Sequence, residues 1–311
     1  MTSLDGLVDP QKDGETDSRT AQPAISIIVP HYNDLENLRE CLKYLETQTM
    51  ARSQYEIIVS DNNSACGLLA VRDACEGVAR VVSAPKQGAG EARNAGAAVA
   101  LSELLAFTDS DCRPARDWLK RGVEALQDAD VVGGRMVVGV EDRSRLTAAE
   151  AYELVFAFNN RRYAEKQGYS VTANMFTRLD AFGKVGPFRV GVSEDLDWGR
   201  RATALGFRTK YAADAVVTHP ARRQWPDLIR KWRRLTSESY ALTCEQSYGR
   251  IMWFLRSWLI LLSTFVHLPA VLRSNELHSF KQRALATYGL IRLRTWRFVE
   301  CNRQLLNIKG S

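Results

Sequence analysis

Two aspartates, Asp109 and Asp111, stand one residue apart at the end of the apolar run Leu104–Thr108. In an extended chain, residues i and i+2 point to the same side. The two carboxylates are therefore brought together beside a sheet edge. Such a pair repels itself unless a cation lies near. Oxygen ligands of this kind suit Mg²⁺ or Mn²⁺, ions that also bind diphosphate oxygens. An Asp-x-Asp turn is common on solvated surfaces. Its position directly after a buried strand is what gives this one weight.

Other residue types suggest companion roles. Asp61 closes the run Tyr55–Ser60, where it can accept from the base or ribose of a nucleotide, or simply form an Asx turn or helix cap. Gly88 to Gly96 (GAGEARNAG) opens a helix, whose N-terminus favours anions, and Arg93 there can reach a phosphate or a sugar hydroxyl. The glycine spacing is not G-x-G-x-x-G and does not follow the first strand, which argues against a dinucleotide-binding site. Glu194-Asp195 precedes Asp197. One of these acids can take a proton from an acceptor hydroxyl, or all three can cap a helix. His219 ends a strand before Pro220, as a metal ligand or as a structural residue.

The elements that would position these residues alternate. Strands are predicted at Ala24–Pro30, Tyr55–Ser60, Val78–Ser83 and Leu104–Thr108. Helices are predicted at Asp34–Thr47, Leu68–Gly77, Gly90–Leu101 and Arg116–Ala129. This rhythm indicates βαβ units and a mostly parallel sheet flanked by helices. Ligands bind such sheets at the carboxyl ends of the strands, where His31-Tyr32-Asn33, Asp61–Ser64 and Asp109–Asp111 all fall. Beyond Asp130 the pattern loosens. Strands are expected at Val131–Val140, Val171–Phe176 and Ala212–His219, with helices at Thr147–Lys166 and Glu194–Gly206.

Composition sets limits. The 311 residues are 45% hydrophobic and 25% charged, which fits a globular chain with a sizeable core. Six cysteines form no C-x-x-C pair and no zinc spacing, so reduced thiols in a cytoplasmic compartment are expected. Residues 1–23 are polar and acidic, without a signal-peptide pattern, and read as a disordered tail. The net charge is +6, yet the stretch from Arg222 onward holds 16 Lys/Arg against 5 Asp/Glu. A basic C-terminal third points to an anionic membrane surface, since no nucleic-acid motif accompanies it. Ile251–Leu272 is the most apolar stretch. Its uncharged part, Ser257–Leu272, is roughly 24 Å long as a helix, short of the ~30 Å bilayer core. A helix lying in or dipping into the interface is expected, with a buried core helix as the alternative, and Lys281–Leu306 reads as a basic interfacial helix or equally as the solvated face of a packed helix.

Five segments in order carry a resemblance: SIIVPHYND (Ser26–Asp34), VSDNNS (Val59–Ser64), QGAGEARNAG (Gln87–Gly96), FTDSDC (Phe107–Cys112) and Thr172–Arg201 with its SEDLDWGRR. Together they resemble the family 2 glycosyltransferases, inverting enzymes of the GT-A fold, over roughly Ala24 to Pro220. The resemblance implies hexosyl transfer from a nucleotide-sugar donor, expected to be a UDP-sugar. The acceptor would be a saccharide, expected to be lipid-linked, in surface-polysaccharide synthesis at the cytoplasmic face of the plasma membrane. Pro30, Tyr32, Asn33 and Asp61 would hold the nucleoside. Arg93, Asn94 and Asp109 would contact the donor. Asp111 would bind the metal, Mg²⁺ or Mn²⁺, with His219 completing that site, and Asp195 would be the general base. The second strand ends in Asp-Asn-Asn rather than the common Asp-Asp, and the Gln-x-x-Arg-Trp motif of processive synthases is missing, so a single addition is expected. The domain reading is a tail over 1–23, a GT-A domain over 24–220 and a basic, partly apolar helical extension over 221–311. A sugar-nucleotide nucleotidyltransferase would carry a glycine-rich basic loop at His31–Asp34, which is not there. A non-catalytic nucleotide-sugar-binding scaffold would not need Asp109, Asp111 and Asp195 together.

Overall fold

The structure, a computed structural model, describes residues 22–306. The tail expected over 1–23 lies outside the described residues apart from Gln22 and Pro23.

The chain starts as three strand–helix units. β1 (Ile25–His31) leads to α1 (Leu35–Glu46), β2 (Tyr55–Asp61) to α2 (Gly67–Ala74), and β3 (Arg80–Ser83) to α3 (Ala89–Ala98). Then follow β4 (Leu104–Phe107), β5 (Arg113–Pro114), α4 (Trp118–Ala125), β6 (Val131–Gly139), α5 (Ala148–Phe156), α6 (Asn160–Gln167), β7 (Met175–Arg178), α7 (Leu179–Val185), α8 (Glu194–Ala204) and β8 (Thr209–Pro220). Three helices end the described chain: α9 (Trp225–Cys244), α10 (Gly249–Arg273) and α11 (Phe280–Leu305).

The apolar run in β1 is buried on both faces because helices cover both sides of the sheet, as a parallel sheet requires. α1 begins where Asp34 accepts from the Asn37 N–H, and its Leu38, Cys41, Leu42 and Leu45 stripe packs onto β1 and β2. Each such fully buried aliphatic side chain contributes roughly 1.5–3 kcal/mol.

The eight strands form one sheet in the order β3-β2-β1-β4-β7-β6-β8-β5. The first four are parallel, as the sequence rhythm predicts. The other half is mixed: β7 runs antiparallel to both β4 and β6, β8 is parallel to β6, and the short β5 is antiparallel to β8. The expectation of a mostly parallel sheet therefore holds for half of it. A bulge between β6 and β8 leaves three β8 residues, 213–215, unpaired opposite the step from Gly134 to Arg135. Asn174 fills the gap, donating to the Ala215 and Arg135 carbonyls while accepting from the Trp118 indole.

Two expectations are corrected. The helix predicted over Thr147–Lys166 is two helices, because Asn159 leaves the helical path and caps α6 by accepting from the Arg162 N–H. The strand predicted over Val171–Phe176 starts at Met175, preceded by a turn of 3₁₀ helix over Thr172–Asn174.

Candidate active site

A cavity of about 540 Å³ opens at the carboxyl ends of β1 and β4. Pro30, Tyr32, Arg93, Asp109, Asp111, Asp195 and His219 all line it, so most of the residues singled out in the sequence are brought together.

Asp109 and Asp111 leave β4 in a tight turn, with the Cys112 N–H donating to the Asp109 carbonyl. Arg93 comes from α3, which the loop before it sets in place. Asn62 accepts from the Gly88 N–H and donates to the Ala84 and Lys86 carbonyls. Gly88 has φ 134°, a region L residues rarely adopt. At Gly90, a Cβ would stand 2.7 Å from Glu194 Oε2 and 3.2 Å from Phe188 Cβ, so a larger residue there would push the Glu194 carboxylate aside.

Arg93, 3% exposed, connects two elements. One guanidinium nitrogen lies 2.6 Å from Asp109 Oδ1 and the other bonds Glu194 Oε1. Burial alone would push the Asp109 carboxyl up. The Arg93 charge and hydrogen bond hold it below the usual range.

Asp195 follows Glu194 on the first turn of α8 and receives a long hydrogen bond, 3.4 Å, from the Thr172 N–H. Burial, and then the neighbouring Glu194 charge, push its pKa up to about 6, with Arg93 pulling the other way. That value suits a base acting near neutral pH.

His219 reaches Asp111 through strand pairing. Register between β5 and β8 sets Arg113 opposite Thr218, so the ends of the two strands meet although the residues are far apart in sequence. His219 Nε2 lies 3.4 Å from Asp111 Oδ2, and His219 Nδ1 lies 2.8 Å from the Pro220 carbonyl. With Nδ1–H donating to that carbonyl, the Nε2 lone pair faces the Asp111 carboxylate. Asp111 Oδ1 is buried without a partner. Two lone-pair donors facing one another beside an orphaned carboxylate oxygen fit a divalent cation. Among the described residues, no group of three or more His, Cys, Asp or Glu side chains is arranged to hold an ion unaided. Further ligands would come from a bound phosphate or from water.

Three residues singled out in the sequence do not line the cavity. Asn33, in the left-handed region at φ 55°, staples the β1 and β2 loops. Its N–H donates to Ser64 Oγ and its side-chain oxygen accepts from the Ala65 N–H. Asn94 clamps the Phe188 backbone with both amide atoms. Asp61 sits behind the wall, accepting from the Ser64 N–H, with its other oxygen buried and unpartnered.

The sequence reading missed one wall. Helix α9, assigned to the C-terminal extension, places Lys231, Arg234, Leu235 and Glu238 on the cavity at helical spacing. The only sequence signal was that spacing. Lys231 and Arg222 share the buried Glu153 of α5 at 3.0 and 3.2 Å. The helix break corrected above turns Phe158 inward, its ring 5.2 Å from His219 and 5.2 Å beneath the Lys231 ammonium. Past the other end of α9, Glu245 meets Arg189, which also holds Asp197 of α8.

A Rossmann-like sheet with Asp-x-Asp at the end of β4, faced by a Glu-Asp pair at the start of α8, defines a glycosyltransferase of the GT-A fold. The chain belongs to glycosyl transferase family 2, which matches residues 26–186. It is 33% identical over 221 residues to glycosyltransferase AglE of Haloferax volcanii, covering 68% of this chain and 72% of that one. It is 28% identical over 217 residues to the pre-mycofactocin glycosyltransferase of Mycobacterium tuberculosis, covering 66% of this chain and 44% of that one. Among solved structures, mannosyltransferase PcManGT from Pyrobaculum calidifontis, in complex with GDP-Man and Mn²⁺, shares the fold with a TM-score of 0.60 at 21% identity, over 93% of this chain and 88% of that one. S. aureus TarS 1-349, in complex with UDP-GlcNAc, shares it with a TM-score of 0.52 at 17% identity, over 92% and 76%.

Proposed function

We propose that this glycosyltransferase moves a sugar from a nucleoside-diphosphate donor to a saccharide hydroxyl by single inverting displacement. The observation that carries the reading is the convergence, in one cavity, of the Arg93-tethered Asp109, the Asp111–His219 pair and an Asp195 poised near neutral pH. Pro30 and Tyr32 form the nucleoside side of the cavity, with the unpartnered oxygen of Asp61 behind it. Asn33 and Asn94 act by shaping that side and the α3 approach. Asp109 binds the donor sugar and ribose, held in place by Arg93, whose two arms are taken by Asp109 and Glu194.

Asp195 accepts the hydroxyl proton as the acceptor oxygen attacks the anomeric carbon from the face opposite the departing diphosphate. Asp111 and His219 would hold Mg²⁺ or Mn²⁺, which neutralises charge on the diphosphate. Carboxylate and phosphate oxygens suit both ions, and of the two the softer Mn²⁺ accepts an imidazole nitrogen more readily than Mg²⁺. That PcManGT is seen with GDP-Man and Mn²⁺, and TarS with UDP-GlcNAc, supports a nucleotide sugar and a metal. UDP is the first nucleotide to test.

The acceptor side of the proposal is a lipid-linked saccharide of polysaccharide synthesis, met at the cytoplasmic face of a membrane. Its support is α10, which is long and apolar enough to cross a membrane. One face of α10 packs on α11 through Trp253, Ser257 and Ile260. Its other sides expose large apolar side chains, Phe265 at 75% and Val266 at 74% among them. A helix docked on the charged α11 fits a surface-lying anchor rather than a span.

A thermal-shift panel of UDP, GDP, CMP and dTDP, with and without Mn²⁺, tests the reading on wild type and Asp111→Ala. One nucleotide should shift the midpoint only with metal, and the variant should lose that shift. No shift with any nucleotide would overturn the proposal.

A further inference from the structure

One end of the cavity holds a carboxyl that the displacement does not use. Glu194 and Asp195 stand at the start of α8, and Glu238 lines the same cavity from α9. Its ion-pair partner Arg234 is 3.7 Å away, too long for a hydrogen bond. The Glu238 side chain is 19% exposed, and among the described residues none hydrogen-bonds it. Burial pushes its pKa up to about 7, with the Glu194 and Asp195 charges adding to the shift and Arg234 opposing it. A mostly enclosed carboxyl that has an ion-pair partner but no hydrogen bond, near the base Asp195, is a group set out for a ligand.

The cations are placed differently. Lys231 stands two turns before Glu238 on the same helix face, about 10 Å away, and it belongs with Phe158 and His219 at the metal end. Arg93 is taken up by Asp109 and Glu194. Lys231 is paired with Glu153, and among the described residues Arg234 is the one cation facing Glu238, so Glu194, Asp195 and Glu238 outnumber the cations at their end of the cavity. A phosphate nucleophile needs no base and would meet Glu194, Asp195 and Glu238. A hydroxyl needs a base, and a polyol finds in these carboxyls the partners its hydrogens require.

We propose that Glu238 is an acceptor-positioning residue, which hydrogen-bonds a hydroxyl next to the attacking one, so that the reacting end of the acceptor is a neutral sugar and not a phosphate. This rests on the transferase reading of the same cavity. In the step itself the new bond joins the acceptor oxygen to the anomeric carbon while the bond to the diphosphate oxygen breaks. The nucleoside diphosphate departs with the bonding pair, and the hydroxyl proton goes to Asp195. Glu238 gains or loses no proton.

The test uses the full chain, Mn²⁺ and the nucleotide sugar whose nucleotide the thermal panel selects. Transfer is measured to a set of octyl glycosides and to octyl phosphate. Glycosides should be used and octyl phosphate should not. Glu238→Ala should raise the acceptor KM about tenfold, the loss expected for one hydrogen bond to a charged group, while the donor KM moves by less than about twofold. Glu238→Gln, which still hydrogen-bonds, should recover most of that loss. Transfer to octyl phosphate, transfer to neither class by an enzyme that binds its donor, or equal rises in both KM values would overturn the inference and leave the transferase reading intact. A wild type that binds no nucleotide removes both.

Discussion

Arg93 Nη2 lies 2.6 Å from Asp109 Oδ1, and the other arm of the same guanidinium holds Glu194. One buried side chain thus spans from the Asp-x-Asp turn of β4 to the helix that carries Asp195. Arg93→Ala leaves two half-buried carboxylates facing an empty space. Removing one partner of a buried ion pair costs about 3–5 kcal/mol. Denaturant unfolding should show a loss in the lower part of that range, because Asp109 and Glu194 are partly exposed. Donor turnover should fall at least about 100-fold.

Asp195→Asn should separate activity from stability. Transfer should collapse, since the amide cannot take a proton, and the wild-type rate should rise with pH through about 6. The folded-state pKa of Asp195 lies above its ordinary 3.8. Its contribution to stability is fully present below that value and lost as pH rises through about 6. The variant should therefore melt higher than wild type at pH 8, and the difference should vanish by about pH 4. A variant less stable at pH 8 would contradict the burial argument.

His219→Ala should weaken Mn²⁺-dependent nucleotide binding about 10–100-fold, read as the metal concentration needed for half of the thermal shift. His219→Gln should lie between the two. Nucleotide binding without metal should change little in either variant.

Glu153 holds Arg222 and Lys231 together. Burial raises its pKa, but the two cations outweigh that and hold it below 4.5. The stability it brings is present above that pH and lost as pH falls through the lowered folded value. Glu153→Gln should destabilise by about 3 kcal/mol at pH 7, by less in acid, and should weaken donor turnover because Lys231 is freed to move.

The exposed surface of α10 predicts binding to lipid. The protein should co-sediment with phosphatidylcholine vesicles containing phosphatidylglycerol, more weakly as salt rises. Phe265→Asp with Val266→Asp should abolish this without changing the melting temperature, since both side chains are exposed.

The parallel half of the fold was readable from local pattern because each βαβ unit announces itself within one window of apolar spacing. The placing of Asp109 and Asp111 just past the end of β4 followed from the same pattern. What was not readable is long-range. β7 joins the sheet antiparallel because it pairs with β4 and β6 across distant sequence. The meeting of His219 with Asp111 was implied by the family resemblance alone, because it depends on the β5–β8 register, which no local signal carries. Lys231 and Glu238 lie in the stretch read only as part of the C-terminal extension, and their contact with the cavity depends on how α9 docks against α5 and, through Arg189, on α8. Asn33 and Asn94 have residue types suited to ligands, yet their polar atoms are taken by neighbouring backbone.

Helix α9 lies beyond the family-matched residues 26–186, yet it forms a side of the cavity. A shortened protein ending at Pro220 would keep every strand of the sheet and both members of the Asp111–His219 pair while leaving its reaction chamber open to bulk water. Any chimera that grafts a foreign C-terminal segment onto this sheet also replaces part of the surface against which a substrate rests. Differences in substrate choice between relatives that share the sheet can thus be sought in α9.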